Sequence, residues 1–88
     1  MTSNFNPFAT LVAEGISSKE VYVRLAPDLP RSQERSDFIR KLRSHALENT
    51  LYTFSSLTAT WLVCPRGKTA TGRYIWDLYI RPVDIVAA

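Results

Sequence analysis

Eighty-eight residues and 10.0 kDa allow one domain with one small core, and 45% hydrophobic against 22% charged residues is the balance of an ordinary soluble globular chain. Such a domain is only marginally stable, at about 5 kcal/mol or a little above, which leaves little room for the walled cleft that most enzymes need. The net charge of +3 is mildly basic and excludes a histone-like polycation.

Asn6-Pro7, followed by Phe8, Leu11, Val12 and then Gly15, predicts a short N-terminal helix. Asn6 would cap it, Pro7 suits its first position and Gly15 a left-handed stop. Val21, Val23 and Leu25 alternate with Tyr22 and Arg24, which predicts a strand over about residues 19–26, ended by Pro27 and Pro30. Ser32 or Ser36 can cap a helix running to about Asn49. At 100° per residue Phe38, Ile39, Leu42 and Ala46 fall within one arc of about 100°, so this helix is amphipathic and lies on a sheet.

Two further strands follow. Leu57, Ala59, Trp61 and Val63 alternate with Thr58, Thr60, Leu62 and Cys64, and Tyr74, Trp76, Leu78 and Ile80 alternate with Ile75, Asp77, Tyr79 and Arg81. Residues 65–73 form the loop between them. Tyr52-Thr53-Phe54 fits either the end of the helix or the start of the next strand. Pro82 ends the last strand or marks an edge. Residues 1–88 therefore read as one α+β domain in the order α-β-α-β-β. Its sheet has three strands, with the long helix on one face and the short helix, or a partner, over part of the other.

Several chemistries are excluded by counting. Cys64 is the only cysteine, so no intrachain disulfide forms, which favours an intracellular, cytoplasmic setting; its apolar surroundings make it a packing residue. Cys64 and His45 are too few for a structural zinc site, and no carboxylate cluster suggests another metal or a cofactor. The first charge is Glu14, so the N-terminus lacks the basic region of a signal peptide. The longest uncharged run, Asn49 to Pro65, is too polar to span a membrane. Arg66-Gly67-Lys68-Thr69 resembles the end of a phosphate-binding loop only superficially: Leu62 stands where a glycine is required and a strand follows in place of a helix. No serine occupies a nucleophile turn, and His45 sits near the edge of the helix's apolar arc, as a boundary residue does. Asp77 and Asp84 do not form an acid/base pair. Glu34 and Asp37 suit a helix start, so no catalytic residue is expected.

Charge and aromatic residues carry the functional reading. Residues 31–43 hold Arg31, Arg35, Arg40, Lys41 and Arg43 against Glu34 and Asp37, while residues 66–73 hold Arg66, Lys68 and Arg73 with no acid. Each segment nets +3 and the remainder −3. A parallel strand–helix–strand crossover would bring Arg31 and Arg35 beside Arg66, Lys68 and Arg73 at one anion-seeking end, reinforced by the helix start. Trp61 and Trp76 fall on the core face. Tyr22, Arg24, Tyr79 and Arg81 fall on the opposite face, whose mixture of Tyr, Ile and Arg resembles an interface.

The expectation is a small non-enzymatic protein that binds and occludes a macromolecular partner. The first choice is another protein with an acidic surface, as for compact regulators or inhibitors carried by mobile elements such as phages. The alternative is DNA or RNA, held by the basic hairpin and the helix start, although no known nucleic-acid-binding module is visible. An uncovered sheet face or free edge strand could also dimerise.

Overall fold

The computed structural model describes residues 9–82. Its elements run β1 (Thr10–Ser17), α1 (Ser18–Leu25), a 3-10 turn (Ala26–Asp28), α2 (Arg35–Glu48), β2 (Tyr52–Ser55), β3 (Ala59–Lys68) and β4 (Tyr74–Pro82). The four strands form one sheet in the order β1-β4-β3-β2, with every pairing antiparallel. The fold is thus an α+β domain with four strands among the described residues, where the sequence reading expects three, and these include no parallel crossover.

The first two elements exchange types relative to expectation. The residues expected to cap and start the N-terminal helix, Asn6, Pro7 and Phe8, lie outside the described residues, while Leu11 and Val12 belong to a strand. Gly15 does adopt a left-handed conformation, with φ 65°, but as part of an irregular stretch of β1 rather than a helix stop. Its N–H donates to Asp77 Oδ1 at 3.0 Å.

The expected strand over 19–26 is a helix. Ser17-Ser18-Lys19-Glu20 has the spacing of a capping box, and Ser17 Oγ accepts from the Glu20 N–H at 3.1 Å. Glu20 then pairs with Arg24 one turn on, at 3.0 Å. Val21 and Leu25, four apart, are both fully buried, whereas Val23 is 56% exposed. A period of 3.6 explains that pattern and a period of 2 does not.

Helix α2 agrees with expectation in its span and its buried face. Phe38 and Leu42 are buried, Ile39 and Ala46 pack partly against the core, and Asn49 closes the helix at φ 55°. Its cap position is Glu34, not Ser32 or Ser36. Pro30 to Gln33 form a turn closed by the Gln33 N–H on the Pro30 carbonyl at 2.9 Å, so Ser32 is used before the helix begins.

Strand β4 occupies its expected position, whereas β3 begins at Ala59, two residues later than expected, and leaves Leu57 94% exposed. β3 runs on to Lys68, so the loop shrinks to a turn in which the Thr69 N–H donates to the Arg73 carbonyl at 2.8 Å. A bulge at Arg66, between Pro65 and Gly67, accommodates the proline that an unbroken ladder would reject. Tyr52-Thr53-Phe54 neither ends the helix nor starts β3: it belongs to a separate strand, β2, that pairs with β3.

Both helices cover one sheet face. There Val21, Leu25, Phe38, Leu42, Val63, Trp76 and Leu78 are wholly buried, with Tyr52 at 8% exposure. Each full burial contributes about 1.5–3 kcal/mol before the entropy of ordering is counted. Three aromatic rings knit the layer: Phe38 lies 5.6 Å from Tyr22 and 5.7 Å from Tyr52. Two indoles tie helical segments to strands, Trp76 Nε1 to Ser18 Oγ and Trp61 Nε1 to Asp28 Oδ2, each at 2.8 Å. No helix among the described residues is long and apolar enough to cross a membrane.

Candidate functional sites on the two faces

The face turned away from the helices carries no helix among the described residues. Strand alternation puts Thr60, Leu62 and Cys64 of β3 and Ile75, Asp77, Tyr79 and Arg81 of β4 on it. Register then aligns a row across all four strands: Leu11 of β1 opposite Tyr79, Tyr79 opposite Leu62, and Leu62 opposite Thr53 of β2. Leu11 is 44% exposed, while Leu62 and Tyr79 are half-buried. A neighbouring row is polar, with Ser55, Thr60 and Arg81 in register and the Ser55 and Thr60 hydroxyls 3.0 Å apart.

On the other side of the apolar row lies an ion-pair cluster. Arg66 Nη1 is 3.0 Å from both Glu14 Oε1 and Asp77 Oδ1. The Glu14 and Asp77 carboxylates, through their hydrogen bonds and then their charges, push the Arg66 pKa further up. Cys64 stands opposite Asp77, and partial burial followed by that negative charge pushes its thiol up as well. A thiol held protonated is a poor nucleophile, so its chemistry stays in the background.

The expected basic end is therefore reorganised. Arg66 is neutralised by two carboxylates distant in sequence. Lys68 lies over the Tyr74 ring, 5.0 Å from its centroid. Arg31 and Arg35 are exposed on the approach to α2 and at its first residue, and neither reaches the hairpin turn by the expected crossover. Tyr22 is not on the open face at all: it sits in α1 with its ring against Phe38, and Arg24 is paired with Glu20. Of the four residues expected on that face, Tyr79 and Arg81 are there.

On the helical side, the hairpin turn meets the start of α1 and the middle of α2. These enclose a cleft of about 410 Å³ lined by Ser17, Ser18, Lys19, Ile39, Arg43, Gly72, Arg73 and Tyr74. Arg73 is the only residue of the expected basic end that lines it. Lys19 and Arg43 join it because the helix pair folds back over the sheet. Among the described residues none of these three cations has a carboxylate within ion-pair distance. Two acids of these helices are taken up locally, Glu20 by Arg24 and Asp37 by Arg40, each at 3.0 Å.

His45 hydrogen-bonds through Nδ1 to Thr50 Oγ1 at 3.0 Å and packs edge-on to Tyr52, which is a boundary role at the end of α2. No group of three or more His, Cys, Asp or Glu among the described residues is placed to hold a metal ion. Comparison of the chain with family models, curated proteins and solved structures found no match.

Proposed function

We propose that this is a small non-enzymatic protein that binds another protein and occludes part of its surface. The observation that carries the reading is the row Leu11–Tyr79–Leu62 on a sheet face that no described helix covers. A tyrosine flanked by two leucines, with arginines at the margin, has the make-up of an interface centre, where a few aromatic and arginine anchors supply most of the affinity. Arg66 is held in place by Glu14 and Asp77, so it adds order rather than free charge. Arg81 has no acidic partner among the described residues and is the group on this face that a partner's carboxylate would meet.

The alternative, DNA or RNA gripped by the hairpin and the start of α2, has less support. Arg66 is engaged within the fold, and Arg31 and Arg35 do not line the cleft that holds Arg73.

Affinity capture from the native host, after nuclease treatment, tests the proposal. The wild-type chain should recover one protein in stoichiometric amount, and Tyr79→Ala combined with Leu62→Ser should lose it while keeping a native circular dichroism spectrum. Equal recovery by the folded double variant refutes the assignment of this face. Recovery that disappears with nuclease supports the alternative.

A further inference from the structure

We infer that the cleft between α1, α2 and the hairpin turn is a binding site for a phosphate group. It lies on the helical side of the sheet, so it goes beyond the protein-docking face and does not depend on it.

The first argument is charge. Lys19, Arg43 and Arg73 come from three separate elements and line one cleft with no lining carboxylate. Three cations brought together without an internal counter-ion repel one another, and a multiply charged anion relieves that repulsion most fully.

The second argument is the polarity of the hydrogen-bonding groups. Ser17 Oγ already accepts from the Glu20 N–H, and Ser18 Oγ accepts from Trp76 Nε1. Each hydroxyl therefore keeps its proton to donate into the cleft. Ammonium and guanidinium groups donate only. The side chains of Ser17, Ser18, Lys19, Arg43 and Arg73 together offer donors to a ligand rich in acceptors.

The third argument is shape. A carboxylate is planar, with two oxygens facing one way, and one arginine satisfies it side-on. Donors arriving from three elements suit an oxyanion whose oxygens diverge, which is phosphate. At about 410 Å³ the cleft falls within the range of small-molecule sites, with room for the phosphate and part of its carrier. That carrier is either a small diphosphate or nucleotide, or a nucleic-acid strand.

The test is a titration of the full-length protein with inorganic pyrophosphate at fixed low ionic strength, followed by amide NMR and calorimetry. Amide shifts should centre on Ser18, Lys19, Gly72 and Arg73. Arg43→Gln and Arg73→Gln, both at exposed positions, should each weaken binding by about tenfold or more. Arg40→Gln, which alters a cation already paired with Asp37, should change it less than about twofold. The Tyr79→Ala/Leu62→Ser variant should bind pyrophosphate like the wild type, which separates this site from the docking face. Absence of saturable shifts at millimolar pyrophosphate, equal binding of succinate, or equal losses in all three arginine variants would each overturn the inference. Competition by a short oligothymidylate identifies a strand as the carrier, and pyrophosphate binding without such competition identifies a small ligand; both outcomes uphold the phosphate site.

Discussion

Trp76 Nε1 donates to Ser18 Oγ across 2.8 Å, joining the largest fully buried side chain of the sheet to the first residue of α1. The indole N–H has left water, so its partner matters more than the bond's net strength suggests. Ser18→Ala should lower stability by about 1–3 kcal/mol, read from urea denaturation followed by tryptophan fluorescence. A loss under about 0.5 kcal/mol would mean that the N–H finds another acceptor.

Phe38 stands between Tyr22 and Tyr52 and is fully buried. Phe38→Ala should cost about 3–5 kcal/mol, comparable to the whole stability of a domain this small. The variant should be largely unfolded at 25 °C by circular dichroism. Leu57→Ala, at a side chain that is 94% exposed, should leave the urea midpoint unchanged.

Arg66 connects β3 to β1 across the intervening β4 through Asp77 and Glu14. Its pairs are partly exposed and screened, so Arg66→Gln should leave the global urea midpoint nearly unchanged. The effect should instead be local. Hydrogen exchange should quicken in Thr10–Ser17 and stay unchanged in Tyr52–Ser55, which takes no part in the cluster. Uniform quickening of both edge strands would contradict this role.

Burial pushes the Tyr52 phenol above its ordinary 10.0, and burial followed by the Asp77 charge pushes the Cys64 thiol above its ordinary 9.0. The folded state thus holds both protons more tightly than the unfolded chain does. The corresponding stability is complete below about pH 9 and declines as pH rises through 9–10 and beyond, where the unfolded state binds fewer protons. Urea midpoints at about pH 7 and pH 10.5 should differ, and Tyr52→Phe with Cys64→Ser should narrow the difference. An unchanged difference in that double variant would place the alkaline sensitivity elsewhere.

Helix α2 and the β3–β4 pair are legible from sequence because each repeats its apolar period long enough to separate 3.6 from 2. Eight-residue segments do not. Val21 and Leu25 fit either period, and only the Ser17-x-x-Glu20 spacing and the Glu20–Arg24 pair mark α1 as a helix, signals local enough to be read directly. A strand in place of α1 imposes a crossover on the topology, and the expected basic end depends on that crossover. Arg66 reads as a free cation until partners 52 and 11 residues away are brought to it, and no local pattern announces either. Lys19 falls in the segment the sequence predicts as a strand, and the expected topology brings the helix start, not its middle, to the hairpin, so neither Lys19 nor Arg43 stands out. Tyr79 and Arg81 lie on the expected face because β4 runs where its alternation predicts.

The strand order has a consequence for biosynthesis. Among the described residues β1 has one strand neighbour, β4, with Thr10 opposite Ile80, so this pairing cannot form until residues 75–80 have been made. At about 5–20 residues per second, residues 10–17 wait several seconds on the ribosome with Leu11 and Val12 unpaired. The β3–β4 hairpin, built from contacts close in sequence, can assemble first and offer the ladder that β1 later joins. Seating of β1 therefore waits on residues 75–80, and until they are made Leu11 and Val12 are open to mispairing.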